Sequence, residues 1–427
     1  MPESFSPPSR SDPNASTKQR LLFVRRTTGF GGSEVVILDL LKAIDYEENS
    51  VFLASPVDVF SQLLADRKLP VVCLPLTAPF TAGFFRMFVS WMRYLRRHRP
   101  NKIILAEGGF RDFPLSAVLA AFTVARGNLW MMELHPAPAP ARENSRVPWR
   151  LISVPAMRER IRAWLSRGIL SDSEGVKDRL VRGYGYAPEK IKVVHIGVDT
   201  ERFSPASQET RRALRENLQI PSAACVVVST ARLYLIKRVD RLIHAFGALS
   251  ARHNNLWLLL TGDGPLRDEL HNLAKSVNNS ANIRFLGHVD DVGPILQASD
   301  IYVLPSDEEG FGIALVEAMA CKLVCVATRT IGPSEIVEDG VTGFLTERSG
   351  NGILQGLDQA LRLNVRERET IGNRARENVL EKFRVEEAAL KGLAFMEINR
   401  VEEDVCWSRT PSNLDRGPSE SGEAAAD

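Results

Sequence analysis

The strongest constraint on how this chain folds is the alternation of short, almost wholly apolar runs with longer stretches of helical periodicity. Such runs occur at residues 21–24, 50–53, 71–74, 102–106, 129–133, 168–171 and 192–195, and a helix is predicted to start near Gly32. A turn-rich segment at 197–205 and a charged helix at about 209–217 interrupt the pattern. It restarts with runs at 224–230, 256–261, 283–286, 301–305 and 324–327. Runs apolar on both faces belong in parallel sheets covered by helices on either side. Two such sets in tandem predict an α/β chain of two doubly wound domains joined near residue 205. Open parallel sheets bind ligands beyond the carboxyl ends of their strands, so the cleft between the domains is the expected site. The halves resemble each other only in this coarse pattern, with no short-period repeat.

Composition narrows the function. Hydrophobic residues make up 44% of 427 positions and charged residues 25%, enough apolar material for the cores of two or three domains. Lysine plus arginine number 54 against 52 acids; the net charge of +2 offers polyanions no general attraction, and no nucleic-acid recognition motif is present. Five cysteines are too sparse for a disulfide scaffold and fit a reducing compartment. Cys321 and Cys325 have no nearby His or second pair to complete a tetrahedral site, so they read as small buried hydrophobes, and no structural metal is expected. Residues 1–18 and 408–427 are polar or Pro- and Ser-rich and read as flexible tails. Neither a secretory leader nor a run of about 18 apolar residues is read in the sequence, so the expected location is the cytoplasm or the inner face of the cell membrane.

Four constellations carry chemistry. Gly29-Phe30-Gly31-Gly32-Ser33-Glu34 lies between a strand and a helix, where it is either a tight turn or a loop whose amides hold a phosphate. Its spacing matches neither a dinucleotide-binding fingerprint nor a Lys-Ser/Thr phosphate loop. Arg232 and Lys237 follow the strand at 224–230 and either neutralise a diphosphate or form a solvated basic turn, while Arg238 and Arg241 read as the exposed face of the next helix. Gly262 and Gly264, in Thr261-Gly262-Asp263-Gly264-Pro265, bring backbone close to a cleft ligand or simply turn the chain. Most informative is the acidic stretch from Pro305 through Glu309, Gly310, Phe311, Gly312 and Ile313 to Glu317 in an apolar helix. A carboxylate in such surroundings needs a donor or a pocket wall. Amides at 310–313 can accept ligand oxygens while Glu309 and Glu317 grip hydroxyls; the plain alternative is a capping acid and a solvent-facing one.

This stretch resembles the signature of the retaining GT-B glycosyltransferases of family 4, the group 1 type, whose mark is two glutamates separated by seven residues, here Glu309 and Glu317. The resemblance extends from the glycine loop to 332–345, GPSEIVEDGVTGFL, and takes in the chain apart from its tails. It implies the GT-B fold: Rossmann-like domains at 19–205, for the acceptor, and 206–380, for the nucleotide sugar, with a helical segment at 381–407 returning to the first. It implies a metal-independent, retaining hexosyltransferase needing no cofactor beyond its UDP- or GDP-sugar, or less commonly an ADP-sugar. Glu309 is then the residue at the donor sugar hydroxyls and Glu317 at the ribose, with Arg232 and Lys237 on the diphosphate. Gly31 and Gly32 lie near the phosphate and acceptor, and His135 beside the transferring sugar. The favoured path of the family is attack on the face from which the leaving group departs, with no covalent role for Glu309.

Two departures from the family pattern stand out, the first bearing on the hinge-side contact and the second on the acceptor. Ile196 stands in His195-Ile196-Gly197-Val198-Asp199 where the family commonly has a polar residue, and Ala106 to Arg111 lacks the usual histidine, leaving Glu107 and Arg111 as acceptor-site candidates. The aromatic, arginine-rich segment 80–99 is either a sheet-covering helix or a surface for an anionic membrane, which would suit a lipid-linked acceptor. Arg-rich 142–167 could extend that patch. The competing functions are a soluble small-metabolite or disaccharide glycosyltransferase and a non-catalytic nucleotide-sugar-binding or scaffold protein.

Overall fold

A computed structural model describes residues 18–26, 31–56, 60–78, 82–107, 113–134, 154–253 and 255–401. Both predicted tails lie almost wholly outside these residues. The first seven strands are β1 (Gln19–Arg25), β2 (Asn49–Ser55), β3 (Val71–Pro75), β4 (Lys102–Glu107), β5 (Leu129–Glu133), β6 (Gly168–Ser171) and β7 (Ile191–Val193). Between them run α1 (Gly32–Lys42), α2 (Ser61–Asp66), α3 (Phe84–His98), α4 (Leu115–Val124), α5 (Val154–Leu165) and α6 (Glu174–Tyr184). After α7 (Gln208–Asn217) come β8 (Cys225–Thr230), β9 (Leu256–Thr261), β10 (Ile283–Gly287), β11 (Ile301–Leu304), β12 (Val324–Thr328) and β13 (Phe344–Thr346). Their helices are α8 (Val239–Ser250), α9 (Arg267–Ser276), α10 (Gly293–Ala298), α11 (Ile313–Ala320), α12 (Ile331–Ile336) and α13 (Gly350–Arg362), followed by α14 (Val365–Lys382) and α15 (Val385–Phe395).

The strands form two sheets, ordered β3-β2-β1-β4-β5-β6-β7 and β10-β9-β8-β11-β12-β13, with every pair parallel. Burial explains why the strands were readable: all residues of β4, β5, β11 and β12 are buried, whereas edge strands β3 and β10 are largely half-buried. Each sheet separates two cores. In the first, α1 and α15 cover one face and α3 and α4 the other; in the second, α11 and α14 lie opposite α8 and α13. The two Rossmann-like domains face each other across a cleft.

Strand order reverses beside β1 in the first sheet and beside β8 in the second, so a crevice opens between β1 and β4 and another between β8 and β11. The loops after β1, β8 and β11 carry the glycine pair, the two cations and the acidic stretch. Topology therefore brings three of the four sequence constellations to the switch points.

The chain crosses between domains twice, side by side. Val198 N–H donates to the Phe383 carbonyl at 2.9 Å and Val385 N–H to the Val198 carbonyl at 3.2 Å. Gly197 is required there, since a Cβ would lie 2.4 Å from both the Arg384 oxygen and Val385 Cα. Beyond this crossing α15 packs on α1, Phe395 meets Trp130 edge-on at 5.2 Å, and buried Lys102 donates to the Glu397 carbonyl at 2.6 Å. A cation at the last carbonyls of a helix is favoured by both hydrogen bonding and the helix dipole.

α3 packs one side on the sheet and presents the other to solvent. Trp91, Met92, Tyr94 and Leu95 are buried against the sheet, while Phe84 and Phe85 are 53% and 76% exposed and Arg86, Arg93, Arg96 and Arg97 face solvent. Cys321 and Cys325 are buried, as read from the sequence.

Candidate active site

The acidic loop after β11 is neutralised residue by residue. Glu309 accepts from Lys237 Nζ at 2.7 Å and from Ser306 Oγ at 3.2 Å; the two charged side chains are 16% and 20% exposed. Glu308 pairs with Arg179 of α6, across the cleft. Asp307 takes Arg238 at 3.2 Å and Arg241 at 2.5 Å. These last two correct the reading of Arg238 and Arg241 as a solvent face. Arg238 adopts a left-handed conformation, φ 50°, at the start of α8, and with Arg241 ties that helix to the acidic loop.

Past the acids the loop becomes backbone-rich. Gly310 and Phe311 are buried, and Gly312 sits at φ 105° as the N-cap of α11, a conformation that favours glycine. Among the described residues no side chain caps this helix, so its first amides are available to oxygens of a ligand. One turn into α11, Glu317 is half-buried among apolar neighbours. Burial, only partly offset by Arg202 and reinforced by Asp291 and Asp39, raises its pKa to about 7.

The cations lie on the neighbouring loop after β8. Arg232 is exposed, with its guanidinium 5.5 Å from the Tyr234 ring centroid, and Lys237 reaches the Glu309 carboxylate. Gly262 and Gly264 support this loop: a Cβ at Gly262, φ +118°, would lie 2.0 Å from the Ala231 oxygen, and one at Gly264 would lie 2.6 Å from the Leu233 oxygen. Their close approach is thus to the segment that bears Arg232. Across the cleft, α1 meets the start of α11 at Gly32, whose Cβ would lie 2.8 Å from the side-chain tip of Ile313, Cδ1.

Several residues emerge only in three dimensions. Arg25, 1% exposed at the end of β1, donates to Glu34 Oε1 and Ser33 Oγ at 2.7 Å each and to the Ala106 carbonyl at 3.1 Å, and so fixes the start of α1 beneath the glycine pair. The Glu34 of the glycine motif was its sequence signal. Asp172, buried just beyond β6, has its pKa raised to about 7, by burial first and by the charges of Glu335 and Glu309, against the bond from Ser173. Glu107 is corrected as an acceptor candidate: it is 1% exposed and paired to Arg162 of α5, which commits its carboxylate to the interior of the first domain. Arg111 and His135 lie outside the described residues. Among those described, no group of three or more His, Cys, Asp or Glu side chains is placed to hold a metal ion.

Comparison with known proteins agrees with this geometry. Residues 30–202 match the family model described as Glycosyltransferase Family 4 and residues 210–378 that described as Glycosyl transferases group 1. An N-acetyl-alpha-D-glucosaminyl L-malate synthase of Bacillus anthracis is 35% identical over 176 residues, 40% of this chain and 45% of that protein. A D-inositol 3-phosphate glycosyltransferase of Streptomyces bingchenggensis is 34% identical over 188 residues, 42% of this chain and 41% of that one. The chain thus spans less than half the length of these curated relatives. The solved structure of Anabaena HepE in complex with UDP-glucose superposes with a TM-score of 0.71 at 21% identity, covering 88% of this chain and 99% of that one, a likeness of fold.

Proposed function

This chain belongs to the GT-B glycosyltransferases of the group 1, family 4 type, and on that premise we propose that it moves a hexose from a UDP- or GDP-sugar to an acceptor hydroxyl with retention of configuration. The observation that carries this reading is the Lys237–Glu309 pair at the uncapped start of α11, where the β8 and β11 loops meet. A fixed ammonium, with Arg232 on the same loop, neutralises the diphosphate as charge accumulates on the departing oxygen, the role that a divalent ion fills elsewhere. Glu309, already bound by Lys237 and Ser306, orients sugar hydroxyls. The acceptor attacks the face that the diphosphate leaves, and a phosphate oxygen takes its proton. Closure of the two domains would shield the donor from water. The HepE complex with UDP-glucose supports a uridine donor.

Two acceptor classes have support. The L-malate and inositol phosphate relatives favour a small soluble acceptor. Exposed Phe84 and Phe85 beside four solvent-facing arginines favour a lipid-linked acceptor at an anionic membrane surface, in glycolipid or polysaccharide assembly. Mass-spectrometric turnover of UDP-, GDP- and ADP-sugars, with soluble and lipid-linked acceptors and with EDTA, tests both. Release of one nucleoside diphosphate that survives EDTA and is lost in Glu309→Ala is expected. No turnover and no donor binding across the panel would overturn the reading in favour of a non-catalytic scaffold.

Glu317 gives a pH signature. With its pKa near 7 the carboxyl is mostly protonated at pH 6 and mostly ionised at pH 8. Only the ionised form accepts hydrogen bonds at both oxygens from a ribose diol. UDP affinity in calorimetry is therefore expected to rise several-fold from pH 6 to pH 8 beyond the rise in Glu317→Gln, which corrects for titration of the phosphate itself. Identical pH profiles would remove Glu317 from the ribose.

A further inference from the structure

One carboxylate spans the two domains. Glu335, on α12 of the second domain, accepts the Gly175 N–H on Oε1 at 2.7 Å and the Glu174 N–H on Oε2 at 2.9 Å. Both amides belong to the first turn of α6, in the first domain. Ser173 caps the next amide, that of Val176, at 3.3 Å. The opening turn of α6 is therefore satisfied half by its own domain and half by the other, and the dipole at this end favours the negative charge. Burial on its own would raise the pKa of Glu335; the bond to His195 and the two backbone amides outweigh it and hold the carboxyl below its ordinary value.

The contact also reaches the donor loop. His195 Nε2 lies 3.2 Å from Glu335 Oε2, and the His195 ring stacks on Phe311 with centroids 5.8 Å apart and planes 25° apart. Phe311 lies between Glu309 and the start of α11. One turn further along α6, Arg179 pairs with Glu308, the neighbour of Glu309. The approach of α6 to α12 is sterically selected: a Cβ on Gly175 would lie 2.5 Å from Ile331 Cγ2.

We propose that Glu335 is a positioning residue of the transfer reaction, a latch that forms only when the domains close and that, through His195 and Phe311, sets the loop bearing Glu309. The proposal rests on the reading of the cleft as a transferase site. The donor binds mainly to the second domain, so losing the latch depopulates the closed state with little effect on donor capture. Glu335→Ala in the full chain is expected to lower kcat tenfold or more while donor KM changes less than threefold. Glu335→Asp, which reaches one amide, should recover part of the loss. Gly175→Ala, on the opposite side of the seam, should reproduce the kcat loss. A kcat within threefold of the parent in both Glu335→Ala and Gly175→Ala, or a loss confined to KM, overturns the proposal.

Small-angle scattering of the ligand-free chain separates failure of the latch from failure of the transferase reading. A larger radius of gyration in Glu335→Ala than in the parent supports the latch even if no sugar nucleotide turns over, and equal radii overturn it. Should Glu335→Ala not fold, Glu335→Gln, which keeps the shape and one acceptor oxygen, takes its place in both measurements with the same two outcomes.

Discussion

Lys237→Met is expected to reduce kcat by about 10²–10³-fold, the range found when one preorganised donor to developing negative charge is removed. Methionine keeps the length and apolar stem of lysine, so the change isolates the ammonium. Two losses combine in it. On the proposed reading the leaving diphosphate loses a fixed cation, and among the described residues Glu309 keeps the bond from Ser306 at 3.2 Å, so its carboxylate can swing out of register with the sugar. Solvent does not replace the cation well, because both partners are at most one-fifth exposed. Arg238 and Arg241 do not substitute either, since Asp307 engages both. Steady-state kinetics with the donor identified in the turnover screen gives the test, alongside Glu309→Gln and the double variant. Because the two side chains touch, their effects should be strongly sub-additive, the double variant being little slower than the worse single one. A Lys237→Met enzyme within threefold of the parent kcat would remove Lys237 from the chemistry.

What was legible in the sequence follows from where the information resides. Strands such as β4, Lys102–Glu107, and β5, Leu129–Glu133, announce themselves because burial on both faces demands an unbroken apolar run. β13 was not foreseen: its three residues, Phe344–Thr346, are too few for a pattern and follow a turn-rich stretch. The site divides the same way. Glycines at strand exits and the acidic loop are local features, visible as such. Their partners are not, because Arg179 lies 129 positions from Glu308, and Lys237 72 positions from Glu309. Arg238 was misread for this reason: by sequence it continues an exposed helix face, and only the approach of β11 to β8 brings Asp307 within reach. Glu107 failed likewise, since a carboxylate at a strand end reads as a cleft residue until α5 supplies Arg162. Pairing across sequence is set by topology, and topology is what an apolar pattern leaves open.

Gly332 is where fold and site meet, and Gly332→Ala is expected to be the most damaging substitution of a single methyl group in the second domain. A Cβ there would lie 1.8 Å from the Phe311 oxygen and 2.3 Å from both its carbonyl carbon and its Cα. All three are backbone atoms, so no rotamer change relieves the clash; either α12 or the loop after β11 must move. Gly332 N–H also donates to the Glu309 carbonyl at 3.2 Å, and Phe311 is wedged edge-on against Phe383 at 5.8 Å, so the loop has little room to yield. Overpacking of this severity costs about 3 kcal/mol or more, which for a domain of this size lowers Tm by roughly 6–12 °C. Two controls fix the cause. Gly350→Ala, with open space around its Cβ and φ outside the left-handed region, should leave Tm within about 1 °C. Gly340→Ala, at φ +76° but also in open space, should cost only the local backbone strain, about 1–2 kcal/mol. Differential scanning calorimetry ranks the three. Calorimetric binding of UDP then reads the site: loss of binding by Gly332→Ala well below its Tm, with binding kept by Gly340→Ala, would tie the donor loop to the seat that Gly332 provides. Unchanged binding in a destabilised Gly332→Ala chain would mean that α12 moves instead and that the side-chain partners of the loop, Lys237 and Phe383 among them, hold it without the seat at Gly332.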